Sequence, residues 1–157
     1  MAGGTVCAIC QPLGSPPVTD RECNMSVFDR LTPPATAKLF GTELVAENSS
    51  EGVIEFAFHP NETMLNPRGM VQGGIIAAML DDTMAPALIS LTGGKLLPAS
   101  IDLNVSFIRP VKPGRVVGKG RVVNRGRTVV FLEAELFDTE GRLLARATSS
   151  AVPLEIG

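Results

Sequence analysis

The stretch from Ile75 to Ile89 constrains the fold of this chain more than any other. Its residues follow helical spacing but are apolar on nearly every side, which is typical of a helix that its surroundings bury. The stretch is shorter than the roughly 20 residues of a membrane span. Pro86 should kink the helix or end it nearby. Two adjacent carboxylates, Asp81 and Asp82, interrupt this otherwise apolar surface.

Carboxylates are unfavourable inside an apolar helix unless they are paired or hydrogen-bonded. Burial raises the pKa of such a group toward the range useful for a general base. Because Asp81 and Asp82 lie about 100° apart around a helix, at most one should face a given cleft. The residue types leave two interpretations open: one carboxylate is functional, or both lie at a subunit seam and bond neighbouring backbone.

The residues Gln72, Gly73 and Gly74 stand at the predicted start of this helix. Backbone N–H groups there lack helical partners and carry the positive end of the helix dipole. Such groups suit a carbonyl oxygen that gains negative charge, although the glycines also fit a role in tight packing alone. Gln72 and Asp81 are roughly 13 Å apart along a helix, so one carbonyl cannot touch both within a subunit. If both features serve one site, that site is built across a dimer.

Strand patterns surround the helix. We predict a short helix at about 34–40, strands at Glu43–Glu47, Gly52–Phe58 and Ser100–Phe107, and an antiparallel meander of strands at Arg115–Asn124, Thr128–Phe137 and Arg142–Val152. In the strand at Ser100–Phe107, alternation places one set of apolar residues on one face: Ile101, Leu103, Val105 and Phe107. The order predicts an α+β fold, a curved antiparallel sheet wrapped around the long central apolar helix. A second subunit is expected to cover the rest of the helix.

Composition limits the alternatives. The chain of 157 residues is 45% hydrophobic and 19% charged, which indicates one globular domain at 25–157 after a flexible leader at 1–24. The net charge of -2 gives no reason to expect a nucleic-acid or membrane partner. The N-terminus does not resemble a signal peptide, so we expect a soluble cytoplasmic protein. Cys7, Cys10 and Cys23 lie in the leader, where we expect reduced thiols rather than a zinc or redox site.

Two motifs resemble the hot-dog-fold acyl-CoA thioesterases, closest to the phenylacetic-acid-degradation type of the 4-hydroxybenzoyl-CoA thioesterase superfamily. They are Asn66-x2-Gly69-x2-Gln72-Gly73-Gly74-x6-Asp81 and Ser100-x-Asp102-Leu103-Asn104-Val105-x-Phe107-x-Arg109-Pro110. The resemblance covers about residues 36 to 153 and includes the Gly126-Arg127 turn. It implies a hot-dog fold and hydrolysis of an acyl-CoA thioester without a metal or redox cofactor, in a homodimer or a homotetramer that is a dimer of dimers.

The resemblance also implies roles for individual residues. Asp81 matches the general base or nucleophile, and the Gly73 N–H matches the donor that polarises the thioester carbonyl. Asn66 matches a residue that holds the attacking water or the acyl carbonyl, and Ser100 matches a hydroxyl that supports that water. Asp82 has no counterpart and is expected to be structural.

Gln72 departs from the His-Gly-Gly that many relatives carry. Glutamine retains a hydrogen-bond donor but cannot titrate, which argues against a dehydratase of this fold. The only histidine, His59, is expected to have a surface or loop role.

Substrate contacts are expected from the helix and from basic turns. Beside Gly74, the acyl pocket is expected to use Met79, Thr83 and Met84, since methionine suits a yielding apolar wall. The candidates for the CoA phosphates are Arg68, Arg109, Lys112, Arg125 and Arg127, of which Arg127, next to Gly126, is the preferred one. Two rival interpretations are a non-catalytic hot-dog module that binds an acyl-CoA or another apolar ligand, and a purely structural dimer.

Overall fold

A sheet of seven strands curls around one long helix in the computed structural model, which describes residues 26–156. The elements are α1 (Ala35–Phe40), β1 (Glu43–Asn48), β2 (Val53–Phe58), α2 (Gly73–Leu91), β3 (Leu96–Ser100), β4 (Asn104–Phe107), β5 (Val116–Arg125), β6 (Val130–Phe137) and β7 (Leu143–Glu155). The leader at 1–24 and the three cysteines lie outside the described residues. The predicted α+β architecture, a curved sheet around a central apolar helix, is confirmed.

The strands are antiparallel in the order β1-β2-β5-β6-β7-β3, with β4 also paired to β7. The predicted meander is therefore confirmed as β5, β6 and β7. On β2, the alternate residues Ile54, Phe56 and Phe58 share one face, and all three are buried. Since β3 and β4 follow one another along β7, they form one edge of the sheet, and β1 forms the other.

Helix α2 is longer than the sequence pattern predicts. Pro86 lies inside it and does not end it, and the helix continues to Leu91. Its 19 residues and mean hydropathy of 1.4 would suit a membrane span by length and composition alone. In the fold, however, α2 is the central helix of the domain, with the chain's own sheet packed along one side.

The sheet approaches α2 most closely at two glycines of β5. A Cβ atom on Gly118 would lie 2.5 Å from the Thr83 hydroxyl oxygen and 2.9 Å from the Phe58 ring. A Cβ atom on Gly120 would fall inside contact distance of the Thr83 carbonyl oxygen. Only glycine allows the strand to lie this close to the helix.

The prediction of one continuous strand at Ser100–Phe107 is wrong, because 101–103 separates β3 from β4. Asp102 accounts for the break. Its carbonyl oxygen accepts a hydrogen bond from the Ser149 hydroxyl at 2.7 Å, and its carboxylate accepts one from the Ser150 N–H at 3.3 Å. The N–H groups of Ile101 and Asp102 both donate to the Ser150 carbonyl, so the regular ladder is interrupted.

The apolar residues of this edge remain at the surface of the chain. The exposed fractions are 59% for Ile101, 37% for Leu103 and 56% for Phe107. An unpaired strand edge with exposed apolar side chains is suited to pairing with another chain.

Candidate active site

Asp81 and Ser100 are brought together by the packing of α2 against β3. The Ser100 hydroxyl donates a hydrogen bond to Asp81 Oδ1 at 3.1 Å. Asp81 is half-buried, and Ser100, the last residue of β3, is exposed at the open sheet edge. The carboxylate is therefore held by a side chain yet remains open to solvent.

Gln72 caps the N-terminus of α2. Its side-chain oxygen accepts a hydrogen bond from the Ile75 N–H at 3.2 Å, and its own N–H donates to the Met64 carbonyl at 2.9 Å. A Cβ atom on Gly74 would lie only 2.8 Å from this Gln72 oxygen. Glycine at position 74 therefore makes room for the cap, which is the packing role that the sequence left open.

A Cβ atom on Gly73 would have more room than one on Gly74. A Cβ atom on Gly73 would meet only the ring of Phe107, at 3.4 Å. Within residues 26–156, the N–H groups of Gly73 and Gly74 donate to no acceptor. The helix start therefore offers two free donors beside β4.

Asn66 shapes the loop that leads into α2. Its side-chain oxygen accepts hydrogen bonds from the N–H groups of Arg68 at 2.9 Å and Met70 at 3.3 Å. Its own N–H donates to the Met70 carbonyl at 2.7 Å. The side-chain oxygen of Asn66 is thus used in the turn, whereas its side-chain NH2 group donates to no acceptor among residues 26–156.

Gly73 and Asp81 lie along the same open edge of the molecule, about 12 Å apart on the helix. Phe107 of β4 marks the Gly73 end and Ser100 of β3 marks the Asp81 end. One thioester cannot reach both groups within a subunit, as the sequence predicts.

The family of the chain follows from comparison with known proteins. The family model described as the thioesterase superfamily matches residues 68–145. A candidate thioesterase of Ralstonia eutropha JMP134, a phenylacetic acid degradation-related protein, is 32% identical, with a TM-score of 0.74 over 80% of this chain and 95% of that chain. The chain belongs to the thioesterase superfamily. The resemblance to the phenylacetic-acid-degradation type and the hot-dog fold are thereby confirmed, and the protein is a thioester hydrolase.

Two further relatives share this architecture or sequence. The PaaI protein from the phenylacetic acid degradation operon of Escherichia coli has the same fold, with a TM-score of 0.69 and 21% identity over 79% of this chain and 86% of that one. A protein of Thermoplasma acidophilum named as a candidate esterase is 24% identical over 98 residues, which are 62% of this chain and 74% of that protein.

Three residues expected in the acyl pocket of this thioesterase are buried in the described subunit. Met79 and Thr83 have no exposed surface, and Met84 is 1% exposed. The Thr83 hydroxyl donates to the Met79 carbonyl at 2.7 Å, and its side chain packs on Gly118. Thr83 thereby helps to set the spacing between α2 and the sheet.

The turn of Arg125, Gly126 and Arg127 lies at the same end of the sheet as Ser100. The register pairs Ser100 with Ala151, Ala151 with Val130 and Val130 with Arg125. Three strand spacings separate Arg125 from Ser100, about 14 Å along the sheet. Directly paired residues project from the same face, so Arg125 shares the face on which Ser100 meets Asp81.

Other cations gather at the opposite end of the sheet. Arg109 and Lys112 line a groove of about 500 Å³ with Arg115 and Arg142. Arg142 is paired with Asp138, whereas Arg115 and Lys112 have no acidic partner among residues 26–156. The Val71 N–H donates to the Val111 carbonyl at 2.8 Å, which places this groove near the Gly73 end of α2. Sequence analysis missed Arg115 and Arg142 because strands distant in sequence bring them together.

His59 lies by the edge of the sheet that is remote from Ser100, with Nε2 3.5 Å from the Glu43 carboxylate. Arg68 is exposed in the turn before Gln72. Within residues 26–156, no group of three histidine, cysteine, aspartate or glutamate side chains is placed to hold a metal ion.

Asp82, which is expected to be structural, lies apart from Ser100 in the fold. It lines an apolar groove whose opposite wall comes from residues 28–42. Partial burial raises the pKa of Asp82; a hydrogen bond from Thr36 opposes this rise, and the charge of Asp81 adds to it. Nothing in the local sequence around Asp82 indicates this wall, because its residues stand far away in the chain.

Proposed function

We propose that the protein hydrolyses acyl-CoA thioesters, with Asp81 of one subunit and the Gly73 N–H of its partner acting on the same carbonyl. The observation that carries this proposal is the half-buried Asp81 carboxylate, held by Ser100 at the open edge of the sheet. A purely structural aspartate would gain nothing from solvent access beside a hydroxyl group. The free Gly73 N–H on the same edge provides the second element that acyl transfer needs.

A two-fold axis along the open edge would complete the site. Antiparallel pairing of the β3 edges of two subunits would cover the exposed Ile101 and Leu103 and set the two α2 helices side by side in opposite directions. The start of one helix would then lie beside the middle of the other. This arrangement would remove the separation of about 12 Å that prevents a one-subunit site.

The proposed reaction begins with the thioester carbonyl oxygen accepting a hydrogen bond from Gly73. Asp81 takes a proton from a water molecule, whose oxygen bonds to the carbonyl carbon. The carbonyl oxygen of the thioester becomes an oxyanion, which the Gly73 N–H stabilises. The carbon–sulfur bond then breaks, and the departing thiolate of CoA takes up the proton from Asp81. The products are a carboxylic acid and CoA.

Direct attack by Asp81 is an alternative first step. The carboxylate oxygen would bond to the carbonyl carbon and expel the CoA thiolate, leaving a mixed anhydride that water then hydrolyses. Ser100 supports either step, because its hydroxyl fixes one oxygen of Asp81 and leaves the other to act.

The CoA phosphates are proposed to bind Arg125 and Arg127. The position of Arg125 on the face and at the end of the sheet that carry Ser100 supports this assignment. The basic groove with Arg109 and Lys112 lies at the Gly73 end of α2. In the proposed dimer, the subunit that supplies Gly73 would therefore bring its groove to the same site. It is the rival phosphate contact.

The reaction is tested by release of free thiol from straight-chain and aryl acyl-CoAs. Loss of a general base lowers the rate by about 10²–10⁴, which is the loss we expect for Asp81→Asn. Asp82→Asn is the matched control, since it removes the neighbouring carboxylate of the same helix; its loss on straight-chain substrates should stay below about tenfold. If the wild type turns over no substrate yet binds CoA esters, the protein is a binding module instead.

A further inference from the structure

The position of Ser100 depends on how the open edge of the sheet passes from β3 to β4. Ser100 is the last residue of β3 and is paired with Ala151 of β7. The pairing resumes in β4, where Asn104 lies opposite Thr148. The edge thus advances four residues, from 100 to 104, while β7 advances three, from 151 to 148. One residue of the edge is therefore in excess, as in a β-bulge.

The extra residue puts Ser100 and Phe107 on the same face of the sheet. In a regular strand, two residues seven positions apart would point to opposite faces. The partners of Ser100 and Phe107 on β7 are Ala151 and Ala145, which stand six positions apart and have no exposed surface. Directly paired residues project from the same face. Ser100 and Phe107 therefore both project to the side that carries α2.

Both ends of the proposed site depend on this arrangement. The Ser100 hydroxyl donates to Asp81, and the ring of Phe107 lies beside Gly73. Without the extra residue, either Ser100 or Phe107 would turn to the other face of the sheet. Four pairs with β7 hold the strand that carries Phe107, whereas Ser100 directly adjoins the bulge. Loss of the bulge should therefore displace Ser100 first.

Asp102 binds the bulge to β7. Its carboxylate accepts hydrogen bonds from the Ser150 N–H at 3.3 Å and from the Ser150 hydroxyl. Its carbonyl oxygen accepts a hydrogen bond at 2.7 Å from the hydroxyl of Ser149, which is buried. A side chain that bonds backbone in this way offers a strand an alternative to the regular ladder. These contacts fix the course of the chain across 101–103.

The Asp102 carboxylate does not reach the proposed catalytic pair. Both of its oxygens accept from Ser150, and across 26–156 no lysine or arginine forms an ion pair with it. Its contacts thus use it as a pair of acceptors, and they require no proton transfer from it.

We infer that Asp102 is a positioning residue for thioester hydrolysis, because its bonds to Ser150 hold the bulge that directs the Ser100 hydroxyl at Asp81. This inference rests on the proposed function, since the direction of Ser100 matters to the reaction only if Asp81 acts on the thioester. Asp102 contacts no reacting group and acts on the rate through Ser100.

The test measures kcat and KM for thiol release from one straight-chain acyl-CoA. Asp102→Ala removes both acceptors. Because a displacement of about 1 Å can lower a rate about 10²-fold, kcat should fall roughly 10- to 100-fold. KM should stay within about twofold of the wild type, since no substrate contact is lost. Asp102→Asn keeps an acceptor for the Ser150 N–H and supplies a donor to the Ser150 hydroxyl, so its kcat should stay within about threefold of the wild type.

A double-mutant cycle separates positioning from a general loss of structure. Ser100→Ala removes the group through which Asp102 acts, so Asp102→Ala added to it should lower kcat by less than about threefold more. Asn48→Ala is the matched control. The side-chain oxygen of Asn48 also accepts from a hydroxyl, that of Ser50 at 2.8 Å, and from a backbone N–H, that of Glu51 at 3.3 Å. Asn48 ends β1 at the remote edge of the sheet, so its loss should leave kcat within about twofold of the wild type.

Ser150→Ala covers the case in which Asp102→Ala does not fold. It removes one donor and keeps the N–H, so kcat should fall by roughly 3- to 10-fold, and this fall should disappear in the Ser100→Ala background.

Three results overturn the inference: a wild-type kcat in Asp102→Ala, losses that multiply in full with that of Ser100→Ala, or an Asp102→Asn variant as slow as Asp102→Ala. An equal fall in Asn48→Ala also overturns it. In each case the proposed function stands if Asp81→Asn still abolishes turnover. Absence of turnover in the wild type would instead overturn both.

Discussion

On the side of α2 that faces the sheet, Leu80 and Thr83 have no exposed surface, whereas Asp81 and Asp82 on the other side are half-buried. The enclosed side leaves no space at Gly118, and the Thr83 hydroxyl on this side donates within the helix. The open side carries carboxylates, a free helix start and a groove. The residues of α2 that stabilise the fold therefore lie on its sheet-facing side, and those able to perform chemistry lie on its open side. This division exists because the sheet covers only one side of the helix.

After Asp81→Asn, the largest effect on the open side is expected from Gly73→Pro. Proline removes the N–H but fits the first position of a helix, and Gln72 already has the extended backbone that precedes proline, with ψ 140°. Loss of one oxyanion donor lowers kcat by about 10²–10³. Gly73→Ala is the matched control, because it adds a Cβ atom and keeps the N–H. Equal activity of the two variants would show that the Gly73 N–H takes no part in the reaction.

Mixing two inactive variants tests whether the site spans two subunits. Subunits of Gly73→Pro and Asp81→Asn, unfolded together and refolded, should form mixed dimers in which one of the two sites is intact. Random pairing then restores up to about a quarter of the wild-type activity. Recovery is measured by thiol release, with each variant refolded alone as the control. If the refolded mixture is as inactive as each variant alone, Gly73 and Asp81 of the same subunit would serve one site.

On the enclosed side, Gly120→Ala is expected to destabilise the fold without a direct effect on chemistry. The added Cβ atom would collide with the Thr83 carbonyl, which belongs to the helix backbone and cannot move alone. Overpacking of this kind costs about 1–3 kcal/mol in the free energy of unfolding. Urea denaturation measures the change, and Gly73→Ala serves as the same substitution at an open position. Equal stability of the two variants would show that both sides of α2 have room to relax.

A smaller effect is expected from the cations that flank the open side. Arg125→Gln combined with Arg127→Gln should raise KM for acyl-CoA by roughly two- to tenfold, because exposed ion pairs contribute little each. The effect should weaken as salt is added. The paired variant Arg109→Gln with Lys112→Gln tests the rival groove by the same assay. A rise in KM seen only for the Arg109 and Lys112 variant would assign the phosphate contacts to the groove at the Gly73 end of α2.

The smallest effect is expected from Asp82→Asn on stability. Because the folded state raises the pKa of Asp82, its ionisation opposes folding, and the penalty is present above that raised pKa. The variant should therefore be more stable than the wild type near pH 7, by less than about 1 kcal/mol because the group is partly exposed to solvent. The gain should shrink as pH falls through the raised pKa and vanish below the ordinary aspartate pKa of 3.8. Thermal unfolding of both proteins across this pH range measures the gain in stability. A gain that grew toward low pH would contradict the raised pKa of Asp82.

The family motifs imply the hot-dog architecture, and residue patterns alone predict the curved sheet around a central helix and the positions of Gly73 and Asp81. Apolar periodicity reports which residues share a face, and turn residues mark where elements end, so both signals are local. The position of Asp81 relative to the helix start follows from helix geometry, which is why the need for a second subunit is already visible in the spacing.

What lies opposite each face of α2 is visible only in the folded chain. Periodicity places Asp81 and Asp82 about 100° apart but does not say that Ser100 meets one and that residues 28–42 wall in the other. The same limit explains why Met79 and Thr83 were expected at a pocket and lie in the core, and why Asp102 divides a strand that alternates without interruption in sequence. Contacts between distant segments depend on how the sheet curls, and no local pattern of residues records that curvature.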